Sequence, residues 1–127
     1  MLSSVFAIEY PPAFVIMVVI VEARFMDINE IQRLCKYNLL RWTNHVLVRL
    51  IQRGISREDV KCALMNGEII EQYPDDYPYS SCLILGLSVN KKHIHIVCGV
   101  GDDELWLITV YYPNPLEWTD DFRVRKE

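Results

Sequence analysis

The sequence predicts an α+β domain in which N-terminal helices pack on a four-stranded antiparallel meander sheet. Between Asp27 and Gly67 the apolar residues recur at three- and four-residue steps, the helical period, and after Gly67 the period falls to two. The later segments are joined by short turns, which permit only antiparallel pairing, and helices followed by a meander is the order of an α+β fold. At 127 residues the chain is long enough for one domain with a real hydrophobic core, placed here at residues 26–127.

The first 25 residues stand apart. Ala13 to Val21 is an unbroken apolar run, preceded by Pro11-Pro12 and closed by Glu22 and Arg24. It is shorter than the roughly 20 residues a membrane-spanning helix needs. Glu9 also sits where a secretory signal carries basic residues. Two readings stay open for this apolar leader. Its β-branched content suits an extra strand, and a start at Met26 makes it dispensable. A membrane anchor is the lesser third.

From Asp27 the chain turns helical, with Glu30 three residues beyond a capping aspartate and a stripe of Ile28, Ile31, Leu34 and Cys35. Asn38 closes this helix. A second runs from Thr43 to Arg53, with Thr43 or Asn44 as its cap and Gly54 placed for the left-handed position past its end. Ser56 starts a third, Asp59 completing a capping box, and Asn66-Gly67 ends it. Strands follow at Glu68–Tyr73, Cys82–Val89, His93–Val100 and Leu105–Tyr112, separated by a Pro/Asp-rich loop and two tight turns. The tail after Pro113 either forms a short helix or lies across the sheet.

The formal charge of −4 argues against a free-standing, non-specific nucleic-acid binder. The charge is unevenly placed, however. Lys36, Arg41, Arg49, Arg53 and Arg57 fall in one segment that contains no Asp or Glu, which allows a local positive surface. Cys35, Cys62, Cys82 and Cys98 show neither a CxxC pair nor ligand spacing, as expected of reduced thiols in a cytoplasmic protein. No cofactor motif is present: there is no phosphate-binding Gly-rich loop, no HExxH and no GxSxG. The pairs Asp75-Asp76, Asp102-Asp103 and Asp120-Asp121 read as solvated turns or tail residues rather than a metal site.

The distinctive feature is the second helix. His45, Arg49 and Arg53 lie at four-residue steps and therefore on one face, while Val46, Leu47, Leu50 and Ile51 supply the other. Two cations and an imidazole in a row repel one another unless an anion joins them. On the strands, His93 and His95 share a face opposite Ile94 and Ile96. Leu105, Leu107, Thr109 and Tyr111 alternate onto one face of the last strand, and a short turn would align Thr109 and Tyr111 with His95. Such a set suits metal-free RNA cleavage. Histidine titrates near neutral pH and serves as base or acid, and arginine forks bind the phosphate oxygens. Structural or partner-binding use of the helix row stands beside this reading.

The segments W-T-N-H-V-L-V-R-L-I-Q-R-G-I, D-V-K-C-A-L-M-N-G-E-I-I-E-Q-Y-P-D-D-Y-P, H-I-H-I-V-C-G and L-I-T-V-Y-Y-P-N-P-L-E-W-T-D-D-F resemble the bacterial domain-of-unknown-function 4258 family. That resemblance implies membership of the broad RelE/barnase-like group of small ribonucleases and toxins. The implied fold is N-terminal helices on an antiparallel sheet, and the implied partner is a small zinc-finger antitoxin. The implied site residues are His45, Arg49, Arg53, His95, Thr109 and Tyr111, and the implied activity is a metal-independent endoribonuclease. The alternative is a non-catalytic protein- or RNA-binding module of the same fold.

Overall fold

The computed structural model describes residues 25–127. The expected leader, apart from Phe25, lies outside the described residues. Helix α1 spans Ile28–Lys36, capped by Asp27, whose carboxylate accepts from the Asn29 N–H at 3.0 Å. Its buried stripe is Ile31, Leu34 and Cys35. Helix α2, Asn44–Arg53, is capped by Thr43 and ends at Gly54 in the left-handed conformation (φ 65°). Helix α3, Arg57–Asn66, starts on a full capping box between Ser56 and Asp59.

A strand the period count misses lies between the first two helices. β1 comprises Leu40–Trp42, and the later strands are β2 (Glu68–Tyr73), β3 (Ser81–Leu87), β4 (His93–Gly101) and β5 (Glu104–Tyr111). The sheet order is β1-β5-β4-β3-β2. β2 to β5 form the expected antiparallel meander, but β1 pairs parallel with β5, Leu40 to Trp42 facing Leu105 to Leu107. The expectation of four antiparallel strands is thus corrected to a five-stranded mixed sheet. Three residues give no alternation to detect. The edge of β5, with unpaired N–H and C=O groups, makes L-R-W a strand.

All three helices cover one face of the sheet. Ile31, Leu34, Val46, Leu50, Val60 and Leu64 meet Ile84, Ile94, Ile96, Cys98, Leu105, Leu107 and Val110 in one buried cluster. α3 lies very close to β3, because a Cβ on Gly86 would come 2.2 Å from the Ala63 carbonyl oxygen. The other face is covered by the tail, which decides between its two expected forms: it lies across the sheet. Trp118 is buried there, as are Leu83, Leu85 and His95. The tail closes on itself through Thr119 N–H to Val124 O and Lys126 N–H to Glu117 O, both 2.8 Å. Arg123 and Arg125 tie it to Glu68 and Glu71 of β2.

β5 carries a bulge. Val97 faces Thr109 and Cys98 faces Leu107, so Ile108 is an extra residue. Leu105 and Leu107 consequently face the helices, while Thr109 and Tyr111 face the tail, and the four do not share a face as simple alternation predicts. The alignment of His95 with Tyr111 holds, since the two are register partners. Asp102 and Asp103, with φ of 54° and 59°, form the two-residue β4–β5 turn. All four cysteines are free thiols. No helix among the described residues is long and apolar enough to cross a membrane.

Candidate functional site

The position of α2 follows from where β1 stops. β1 ends at Trp42 opposite Leu107, so the rest of the β5 edge is left for other groups. The Thr43 hydroxyl donates to the Leu107 carbonyl at 3.1 Å while accepting from Val46 N–H at 3.2 Å, so one side chain caps α2 and pins it to β5. At the other end Arg53 Nη1 donates to the Val110 carbonyl at 2.7 Å. Val46 and Leu50 anchor the helix from below. α2, about 15 Å long, thereby lies along the β5 edge from Leu107 to Val110.

Its outward row is the one expected. His45 is exposed and has no hydrogen-bond partner among the described residues. Arg49 donates to Gln52 at 2.9 Å, and Arg53 makes the Val110 contact. A guanidinium has five N–H donors, so most of the donors of both arginines stay available. Most of the other arginines among the described residues pair with acids. Arg33, Arg41, Arg123 and Arg125 each meet a carboxylate. Among the described residues, the three arginines without one are Arg49, Arg53 and Arg57, all in the acid-free segment. Arg57 stacks on the Trp42 ring, 5.2 Å from its centroid. Arg41, by contrast, is neutralised by Glu104 at 2.8 Å.

His95 lies elsewhere. Alternation on β4 sends Ile94 and Ile96 into the helix-side core, so His95 points to the tail side, where it is fully buried. Its Nε2 stands 2.9 Å from the Phe122 carbonyl oxygen, which accepts only, so Nε2 carries the proton and donates. Nδ1 then accepts from the Tyr111 hydroxyl at 3.3 Å. The Trp118 ring meets the imidazole edge-on at 4.5 Å. Burial pushes the His95 pKa down, outweighing the opposing Phe122 contact, and keeps it neutral. Burial likewise raises the Tyr111 phenol. Nearby on β2, burial and a hydrogen bond to Glu71 push Tyr73 up to about 12.

The expected constellation falls into two groups that approach each other at the β5 edge, where the Arg53 charge reaches Tyr111 and opposes the upward push of burial on its phenol. His45, Arg49 and Arg53 stand together on α2. His95 and Tyr111 stand together under the tail, with Thr109 half-buried beside the bulge on that same side. Val110, whose carbonyl holds Arg53, adjoins both Thr109 and Tyr111, so β5 joins the two groups mechanically. The Arg57–Trp42 stack was not singled out from the sequence. An aromatic at the strand end before α2 and a cation at the start of α3 are too far apart in the chain to be read as a pair.

A family model described as Domain of unknown function (DUF4258) matches residues 42–112, more than half of the chain. The chain belongs to the DUF4258 family. No match to the chain is found among curated proteins or solved structures. The DUF4258 segment begins at Trp42 and ends at Tyr112, so it contains the α2 row, His95, Thr109 and Tyr111. It leaves out α1 and the tail that covers His95.

Proposed function

We propose that this DUF4258 protein is a metal-independent endoribonuclease, the toxin of a toxin–antitoxin pair, acting through the exposed row on α2. The observation that carries the proposal is the carboxylate-free pair Arg49 and Arg53 beside a partner-free His45, where the other arginines among the described residues are mostly paired with acids. Two forks with spare donors bind the non-bridging oxygens of one phosphodiester and hold the charge that develops on them. The ribose 2′-hydroxyl loses its proton to His45 and its oxygen bonds to phosphorus. The bond to the 5′-oxygen breaks, giving a 2′,3′-cyclic phosphate, and that oxygen takes up a proton from water while His45 returns its own to solvent. Tyr111, Thr109 and His95 act in this scheme by fixing the β5 edge to which Arg53 is tied. Helices packed on one face of a largely antiparallel sheet are what the resemblance to RelE/barnase-like toxins implies, which supports the reading. A small zinc-finger antitoxin that presents acidic residues to the α2 row fits the same surface, and a cytoplasmic location fits both the RNA substrate and the four free thiols.

A second reading has its own observation. His95 spends both ring nitrogens inside the protein and so is not available to His45 as the second member of an acid–base pair, which favours an RNA-binding module without cleavage. The test uses the full chain with single-stranded RNA in EDTA. Cleavage that disappears in His45→Ala, with folding intact, supports the nuclease. RNA binding without cleavage, lost in Arg49→Ala/Arg53→Ala, supports the module. Cleavage unchanged in His45→Ala overturns the assignment of the site.

A further inference from the structure

The flank of α2 turned away from the His45 row carries a separate surface. Leu47 and Ile51 each lie two residues from Arg49, about 200° round the helix. With Leu50, Ile55 and Arg57 they line a groove of about 320 Å³ between α2 and the start of α3. Leu50 and Ile55 are buried and form its floor, Leu47 is half-buried, and Ile51 at the rim is 83% exposed. Val48, 50% exposed, extends the apolar surface along the crest of α2. Among the lining residues Arg57 alone is charged. Its guanidinium lies over the Trp42 ring, so the side chain stretches from the start of α3 to the residue before the α2 cap. No carboxylate among the described residues meets it, that of its neighbour Glu58 included. An isoleucine left in water next to an arginine without an acid calls for a surface that offers apolar contact and negative charge together.

We propose that this groove docks an acidic amphipathic helix of a partner protein, with an apolar side chain seated between Leu47, Ile51 and Ile55 and a carboxylate on Arg57. The inference goes beyond the RNA reading and does not depend on it. Charge complementarity selects the occupant. Arg49, Arg53 and Arg57, the three arginines without a carboxylate among the described residues, all border α2, so an acidic partner is drawn to this helix. A second copy of the chain would set the same three cations against themselves in a two-fold contact. An extended strand gains nothing here, because the α2 backbone is hydrogen-bonded internally and offers no free edge. A helix meets α2 through side chains alone, ridge into groove. The Trp42 stack holds the Arg57 fork in place before the partner arrives, so less of its freedom is lost on binding.

The test titrates the isotope-labelled full chain with a synthetic peptide of about 15 residues, long enough to hold a helix. Leucines line one face of the peptide and glutamates flank them, and two controls replace the glutamates by lysine or the leucines by alanine. The glutamate peptide shifts the amide signals of Leu47, Ile51 and Arg57 and the indole N–H of Trp42, and both controls bind about 10-fold more weakly or less. Ile51→Asp, an exposed change, lowers affinity for the glutamate peptide about 10- to 100-fold. Arg57→Glu inverts the preference and favours the lysine peptide. Absence of any shift at Ile51, equal binding of the glutamate and lysine peptides, or affinity unchanged in both variants overturns the proposal. Shifts in this groove on concentrating the chain alone also overturn it, by assigning the surface to a second copy. Binding to phosphatidylserine vesicles that Ile51→Asp abolishes and the peptide does not displace overturns it in favour of a lipid surface.

Discussion

His95→Ala separates a structural histidine from a chemical one. The substitution removes the donor to the Phe122 carbonyl at 2.9 Å, leaving an acceptor beneath the tail unpaired, at about 1–3 kcal/mol. It also removes two edge-on ring contacts, with Trp118 at 4.5 Å and Tyr111 at 5.3 Å, each contributing roughly 0.5–1.5 kcal/mol beyond area. The Tyr111 hydroxyl loses its acceptor, but it is only half-buried and water replaces part of that contact. These terms share groups and do not add fully, so the expected loss is about 4 kcal/mol, a large part of the roughly 5–15 kcal/mol of an ordinary domain. With a urea slope of about 1.5 kcal/mol/M the unfolding midpoint falls by about 2–3 M. His45→Ala, an exposed change without a partner to lose, stays within about 0.5 kcal/mol of wild type. Paired urea titrations, each followed by RNA cleavage at a denaturant-free concentration, read both effects. A His95→Ala protein with an unmoved midpoint and no cleavage would refute the reasoning, because it would make His95 a reacting group rather than a support.

The depressed His95 pKa sets a pH dependence. The native state holds this ring neutral while the unfolded chain protonates it near pH 6.5, so the unfolded state binds more protons below that value. Stability is therefore full above about pH 6.5 and declines as pH falls from there through the native value, and His95→Phe should remove this slope in urea titrations run across that window. A slope retained in His95→Phe would assign it to another group. Glu68, Glu71, Asp59 and Asp121 also have lowered pKa values, but their stability is lost only below the ordinary carboxylate range, which separates the two windows. Thr43→Ala removes the α2 cap and its tie to Leu107, costing about 1–2 kcal/mol. Polyphosphate affinity should fall with it as the row loses its anchor, and unchanged affinity would disconnect cap from site. Gly86→Ala forces a Cβ against the Ala63 backbone, and an expected loss of about 3 kcal/mol or more shows as a lower thermal midpoint. A neutral result would mean that α3 can lift from β3.

The chain alone determined the local plan. Capping residues at Asp27, Thr43 and Ser56, the helical stripes between them and the switch to period two all depend on neighbours within a few residues. Those interactions are written in the order of side chains. The α2 row was equally open to inspection, because four-residue spacing places His45, Arg49 and Arg53 on one face whatever the helix packs against. What tertiary structure decided was everything that depends on a distant partner. L-R-W became a strand because the β5 edge lay open beside it. The bulge at Ile108 reversed the direction of Leu105 and Leu107 relative to Thr109 and Tyr111, a parity that one inserted residue changes and no periodicity count registers. The tail buried His95 by bringing Trp118 and Phe122 from more than twenty residues away, so that both ring nitrogens are spent inside the protein. His95 came to face the tail because the helices cover the face bearing Ile94 and Ile96, while His45 was left exposed on α2.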